Sequence, residues 1–290
     1  MRKWYLLLGL FCLTLGGSIY QFWALQREGG ELTFAITQYS AKPFPKNDET
    51  IRIMTVNVAM GSKHFYIEWL YRGFLPAFIR EHLDHVAQLI REQQPDVVIL
   101  SEMAQNMLPF ENNLVGYLAA QSEMHNWVFG EHHDRQIGWV RYIGGNAILS
   151  RYPLQLVPQP SDKLPSPLAI LKFPYQPILV AGVHNDHQNW ETNLKQTQQI
   201  LQTLETRSAI LGGDFNVPPE SPSIRLLESS EQFSGEFHGP PTSPLFDDPP
   251  VTIDFIFAPI YWKLTDHRVI ANKISDHKAV LSTFRVADVD

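Results

Sequence analysis

Apolar positions along this chain come mostly in short runs, alternating or continuous, each closed by a turn residue or a polar side chain. Ile51 to Val58 alternates as a strand with Asn57 near its end, and Asp96 to Leu100 reads as a second, buried strand that delivers Glu102. Between them, Phe78, Ile79, Leu83, Val86, Leu89 and Ile90 recur at helical spacing over Leu75 to Gln94, and Pro95 closes that helix. Further strands are expected at Asn146 to Leu149, Leu168 to Phe173 and Ile178 to Val183. A second helix is predicted from Trp190 to Arg207, capped by Asn189, with Leu194, Thr197, Leu201 and Leu204 on one face. After an apolar run at Ala209 to Leu211, the pattern predicts a short helix over Ser221 to Ser229 and a proline-rich surface loop over 238–250. Strands return at Thr252 to Phe257, Arg268 to Ile270 and Ala279 to Phe284. Many short strands with two or three helices between them predict two sheets packed face to face, helices outside. One domain over 50–290 accounts for these elements, with no internal repeat.

Ahead of that domain, Met1-Arg2-Lys3 leads into an apolar stretch from Trp4 to about Leu25. As a helix it would span roughly 33 Å, just enough to cross a bilayer, while Trp4 to Leu15 has the length of a signal-peptide core. Residues 1–28 therefore read as a signal anchor or a signal peptide, and 29–49, with Pro43 and Pro45, as a linker or an early strand. Either reading keeps Arg2 and Lys3 inside and predicts an exported domain, membrane-anchored or secreted and periplasmic. The length of 290 residues fits one large domain or two small ones, and 44% hydrophobic residues suffice for a sizeable core. A net charge of −7 argues against a protein that coats nucleic acid, but leaves room for a local basic groove or for bound cations. The single cysteine, Cys12, lies in the N-terminal stretch, so the folded part has neither disulfides nor cysteine-bound metals.

The chemistry concentrates at strand ends. Ala209-Ile210-Leu211 stops at Gly212-Gly213, and the turn delivers Asp214 and Asn216 two residues apart, a pair able to hold a hard cation or a phosphate and its attacking water. Asn57, Glu102 and His184 each follow an apolar run, Asp254 sits within Thr252 to Phe257, and Asp276-His277 precedes the last strand. Polar residues so placed in one layered domain can converge on a single rim. Each alone also reads as an ordinary cap or turn residue.

Taken together, these segments resemble the endonuclease/exonuclease/phosphatase superfamily. The resemblance is carried, in family order over most of the chain, by Thr55-Val56-Asn57, Leu100-Ser101-Glu102, Gly145 to Arg151, Val183-His184, Gly213-Asp214-Phe215-Asn216, Ile253 to Ile256 and Ser275-Asp276-His277. It implies an α/β four-layer sandwich of two mixed, largely antiparallel sheets flanked by helices, and divalent-metal phosphoester hydrolysis. It further implies magnesium, or manganese in its place, held by Glu102 with Asn57 beside it, and Asp276 completing the site or orienting a neighbour. In this pattern His277 activates or positions the attacking water, Asp254 orients the imidazole, and Asp214 is the rival base. Asn216 would donate to the phosphate or hold Asp214, and His184 would donate to the phosphate or the leaving oxygen. Glu131 is a candidate partner for His184. His132, His133 and Asp134 form a polar cluster without a counterpart in the family pattern and read as a loop near the rim.

The expected substrate is a phosphoester of nucleic acid or phospholipid, acted on by a monomer without an obligate protein partner. A nuclease needs cations and stacking surfaces along a groove, for which Arg135, Arg141, Arg151, Lys163, Trp127, Trp139 and Trp190 are candidates, the tryptophans being equally readable as core. A membrane-proximal lipid phosphodiesterase or phosphatase would instead use the N-terminal anchor with Trp69-Leu70-Tyr71 and Phe74-Leu75. A non-catalytic phosphate-binding protein on the same scaffold is the third expectation.

Overall fold

Alternation along the strands sorts the apolar residues into three layers. In β3 (Thr50–Asn57), Ile51 and Ile53 point to one side, Met54 and Val56 to the other. β4 (Val97–Leu108) repeats the division, with Val97 and Ile99 joining the first set and Val98 and Leu100 the second. Helices α1 (Pro76–Gln93) and α2 (Leu114–Gln121) cover the second set with Ile79, Leu83, Val86, Ile90, Leu114 and Leu118. The computed structural model describes residues 26–28, 33–36, 44–46, 48–59, 76–108, 111–137, 140–158, 167–173, 176–243, 249–271 and 274–287.

The same division holds in β9 (Pro177–His184) and β10 (Ala209–Asp214). Leu179, Ala181, Val183 and Leu211 meet Ile200, Leu204, Ile224 and Leu227 of α3 (Trp190–Leu204) and α4 (Pro222–Ser229). Ile178, Val180 and Ile210 face inward onto Ile51, Ile53, Val97 and Ile99. Helix, sheet, sheet and helix thus stack as four layers around a dry centre, the sandwich the sequence pattern predicts.

The first sheet runs β1 (Gln26–Glu28), β5 (Asn126–Ile137), β6 (Val140–Ser150), β4, β3, β14 (Ala279–Arg285), β13 (Lys263–Ile270), with β2 (Thr33–Ile36) also paired to β5. The second runs β11 (Phe233–Gly235), β12 (Asp254–Pro259), β10, β9, β8 (Leu168–Lys172), β7 (Leu154–Leu156). Each sheet holds one parallel pair, β3 with β4 and β9 with β10, joined through α1 and α3; the other pairings are antiparallel. Read inward from one edge, β13-β14-β3-β4-β6-β5 and β7-β8-β9-β10-β12-β11 follow one plan. This repeat of architecture has no counterpart in the sequence. Its consequence is that the carboxyl ends of both parallel pairs meet at one rim.

Three expectations change. The stretch read as a linker or early strand contributes β2, and β1 precedes it. Helix α2 and the long strand β5 were not predicted, and β4 and β6 extend past their expected ends. That extension carries His132, His133 and Asp134 in β5, so the cluster is strand and not loop. Its polar residues and the pair Gly144-Gly145 stand beyond the apolar layer, where no hydrophobic period marks a strand. Residues 1–25, 69–75, Trp139 and Lys163 lie outside the described residues; among those described, no helix is long and apolar enough to cross a membrane.

Two adjacent glycines let the sheets close at the rim. A Cβ at Gly212 would sit 2.6 Å from Ile99 Cδ1, so the missing side chain is what allows that contact between sheets. Gly213 has φ +136°, and a Cβ there would lie 2.0 Å from the Val183 carbonyl oxygen. Gly213→Ala should therefore cost about 2–4 kcal/mol, through backbone strain and overpacking. Thermal or urea unfolding that matches the wild type would refute this account of the turn.

Candidate active site

Following each inward-facing row toward the rim, apolar side chains give way to polar ones. Ile51 and Ile53 are succeeded by Thr55 and Asn57, Val97 and Ile99 by Ser101, Ile178 and Val180 by His184, Ile210 by Asp214, and Ile256 by Asp254. Period-2 alternation therefore delivers these groups into the continuation of the inter-sheet core. Ser101 marks the boundary. Its Oγ donates to the Val183 carbonyl across the gap at 3.2 Å and accepts the Asp214 N–H at 3.3 Å.

Glu102 should face the helices by the same alternation, but a β-bulge intervenes between Leu100 and Met103, and Glu102 takes φ +54°. The bulge turns its carboxylate into the rim. There Asn57 Nδ2 donates to Glu102 Oε1 and to Asp214 Oδ2, both at 3.2 Å, while Asn57 Oδ1 accepts from Ala59 N at 2.9 Å. His184 Nε2 lies 3.7 Å from Glu102 Oε1.

Asp214 and Asp254 are directly opposite each other in the β10–β12 register, an unfavourable pairing for two carboxylates. His277, arriving just ahead of β14, offsets it. Its Nδ1–H donates to Asp254 Oδ2 at 3.0 Å, and its Nε2 stands 3.8 Å from Asp214 Oδ2, beyond hydrogen-bonding range. Burial opposes a charge on this imidazole, but Asp254, Asp214 and Asp276 outweigh it and lift His277 from 6.5 to about 10. Burial, and then the Asp254 charge, hold Asp214 above the ordinary carboxylate range.

Residues that the sequence did not single out, one in a loop and one in α3, help position these groups. Thr242 Oγ1 accepts both the Ile253 and Asp254 N–H groups, so the proline-rich loop read as surface contains a fully buried anchor. Asn193 Nδ2 donates to the carbonyls of Asp186 and Phe215 and its Oδ1 accepts from Ser223. Asn216, at φ +56°, donates its N–H to Asp214 Oδ1 at 2.8 Å and its Nδ2 to the Asn185 carbonyl. The contact of Asn216 with Asp214 is thus made by its backbone N–H. Asp276 flanks His277 and accepts from Ser275 Oγ at 3.2 Å. Only the three-dimensional arrangement could have found Thr242 and Asn193, because buried Thr and Asn carry no distinctive spacing.

The structure thus gathers Asn57, Glu102, His184, Asp214, Asp254 and His277 into one contiguous set, with Asn216 and Asp276 on its flanks. Among the described residues, Asp214, Asp254 and His277 also form a compact group of potential metal ligands within 4.8 Å of one another. Within that group His277 Nδ1 is already taken up by Asp254. The whole set is rich in carboxylate and amide oxygens and carries more negative than positive charge. It fits a hard cation on the Glu102–Asn57 side.

Of the groove candidates, Arg151 Nε donates to the Pro95 carbonyl at the opposite end of β4, and Trp127 is buried in the core. Arg141 is held by both oxygens of Asp134. Arg135 lies in the β5 extension on the side of the site, and Trp190 is exposed at the start of α3.

The Endonuclease/Exonuclease/phosphatase family pattern matches residues 54–277, and the chain belongs to that family. Members of the family are generally phosphoester hydrolases and typically use divalent metals. An endonuclease/exonuclease/phosphatase from Beutenbergia cavernae DSM 12333 is 20% identical, with 82% of this chain and 72% of that one covered at a TM-score of 0.61. One from Bacteroides vulgatus is 15% identical, with coverages of 81% and 98% and a TM-score of 0.60. A mannosyl-6-phosphatase from Bacteroides thetaiotaomicron VPI-5482 is 14% identical, with coverages of 80% and 98% and a TM-score of 0.53. At such identities the likeness shows the fold. No curated protein matches the chain.

Two outcomes follow from this geometry. Folding favours the protonated form of His277, so its stabilisation is complete below pH 6.5 and is lost as pH rises toward 10. Unfolding free energy in the presence of a chelator should fall by on the order of a few kcal/mol across that window, and His277→Gln should flatten the fall. An identical slope in the variant would contradict it. Ser101→Ala leaves the buried Asp214 N–H without its acceptor and should cost about 1–3 kcal/mol in urea unfolding.

Proposed function

We propose that this protein is a divalent-metal-dependent phosphoester hydrolase, and within that class a phosphodiesterase of the endonuclease/exonuclease type. What carries the reading is the single hydrogen-bonded run from Glu102 through Asn57 to Asp214, ending at the Asp254–His277 pair across 3.8 Å. It sets a cation-binding carboxylate beside two groups able to move a proton. Family membership supports the reaction class. The exposed Trp190 at the start of α3 supports the diesterase form, since an exposed aromatic group suits stacking by a base.

Glu102, with Asn57 beside it, would hold magnesium or manganese, and Asp276 would complete the negative charge around it. When bound, the cation neutralises charge developing on the phosphoryl oxygens. The electrostatics divide the remaining work. His277 already carries a proton at neutral pH, so we assign it to donate to, and stabilise, charge at the reacting phosphate. Asp214, whose carboxyl burial raises above its ordinary range and which lies on the hydrogen-bonded run beside Asn57, is assigned to take the proton of the attacking water. Asp254 keeps the imidazole oriented through Nδ1, and Asn216 keeps Asp214 from rotating away. His184, against Glu102, would donate to the phosphate or to the leaving oxygen. Export or membrane anchoring belongs to the proposal and rests on residues 1–28, most of which lie outside the described set.

The test is hydrolysis by the full-length protein of plasmid DNA, sphingomyelin and a phosphoinositide in parallel, with magnesium and with a chelator. We expect magnesium-dependent plasmid nicking, lowered about a thousandfold or more by Glu102→Gln and by His277→Ala in folded protein. Turnover indifferent to both substitutions sinks the assignment. Lipid turnover without nicking would move the enzyme to the lipid phosphodiesterases.

A further inference from the structure

The first sheet has a second polar end, opposite the active site, where β3 and β4 begin and β6 stops. A cavity of about 430 Å³ opens there, lined by Thr50, Arg52, Gln94, Asp96 and Arg151. Arg52 alternates with Ile51 and Ile53 of the inter-sheet core, so it reaches the cavity from the helix side. Asn57 stands five residues further along β3, about 17 Å away, which separates the cavity from the catalytic rim.

Donors and acceptors are unevenly engaged around this cavity. Asp96 is buried; its Oδ2 accepts the Arg52 N–H at 2.9 Å, and Tyr152 bonds to the same carboxylate. Glu49 Oε2, beside Thr50, accepts the Lys46 N–H at 2.8 Å, and Asp266 of β13 is held by Arg268 at 2.9 Å. The carboxylates nearby are thus turned to protein donors. The arginines are not matched in the same way. Arg151 commits Nε to the Pro95 carbonyl at 2.9 Å, and Arg52 Nε is buried without an acceptor. Arg285 is the direct cross-strand partner of Thr50, and Lys263 that of Arg285, so cations continue along the edge. In a chain of net charge −7 this end carries a local excess of donors.

We propose that Arg52 and Arg151 form an anion site that takes the phosphate group of a ligand other than the substrate. Two guanidinium groups on one cavity suit a tetrahedral phosphate, whose several oxygens accept from both, whereas a planar carboxylate is filled by one. The volume is that of a small-molecule site and leaves room for the group that the phosphate is attached to. A buried donor without an acceptor costs stability, and an anion beside the Arg52 guanidinium would offset that cost through its charge. The site is independent of the hydrolase reading, since it shares no residue with the catalytic rim.

Calorimetry of the full-length protein with inorganic phosphate, in the presence of a chelator, reads this site without a cation at the catalytic rim. One saturable site is expected. Arg52→Met should weaken it about tenfold or more, the worth of one guanidinium–phosphate contact. That substitution keeps most of the stem and removes the donor that lacks an acceptor. Without phosphate its thermal midpoint should therefore equal or exceed that of the wild type. Arg151→Met should weaken binding likewise; if loss of the Pro95 contact unfolds it, Arg52→Met and Arg52→Gln carry the comparison. No saturable binding by the wild type, or an unchanged affinity in folded Arg52→Met, overturns the proposal. Vesicles of phosphatidylglycerol that displace phosphate from the wild type identify a lipid headgroup as its source. Vesicles that leave the phosphate bound identify a soluble phosphate compound.

Discussion

The inter-sheet layer changes from apolar to polar along the strand axis, and everything at the rim depends on where that change falls. Ile53, Ile99, Val180 and Ile210 hold the two sheets together by excluding water. One step further on, Ser101 spans the gap with bonds to Val183 and Asp214. A larger side chain at Ser101 or at Gly212 would separate the sheets where their polar ends must meet. The site is therefore the open end of a core, and its rigidity is inherited from the packing beneath it.

Such a place is costly for charge. Asp214 and Asp254 face each other in a buried pair of strands, and Glu102 and Asp276 add to the negative field. His277 answers part of it by keeping a proton well above neutral pH. Asn57 answers another part by donating to two carboxylates at once. Both devices leave net negative charge on the Glu102 side, which a divalent cation would balance. The electrostatic surplus that weakens the metal-free protein is thus the same property that suits it to bind a metal and a phosphate together.

The two sheets follow one plan, but their rims are not equivalent. Both parallel pairs bring their carboxyl ends to the site, one with Asn57 and Glu102, the other with His184 and Asp214. The first sheet then continues upward through the bulged strands β4, β5 and β6, and the second does not. That asymmetry gives the site a wall on one side, whose Met103, Met107, Tyr142 and Ile143 still pack into the helix-side core. A scaffold common to its family can acquire selectivity in this way without disturbing the chemistry below.

Much of this protein is legible in its sequence. Short apolar runs with period-2 alternation place β3, β9, β10 and β14, and helical spacing places α1 and α3, because core-facing residues must repeat with the geometry of the backbone. The polar residues that close these runs mark Asn57, Glu102, His184 and Asp214, and His277 stands just ahead of the last one. The extent of β5 and β6 is not legible, since their polar and glycine residues break the apolar period, and α2 is too short for its buried Leu114, Val115, Leu118 and Ala119 to show a helical repeat. Thr242 and Asn193 escape notice because their work is to satisfy backbone groups of distant segments. The tertiary structure alone decides that a bulge swings Glu102 to the other side of its strand, that Arg151 belongs to the far rim, and that His277 stays charged. Side-chain direction and protonation depend on neighbours far away in the chain, and periodicity records only which residues must leave water.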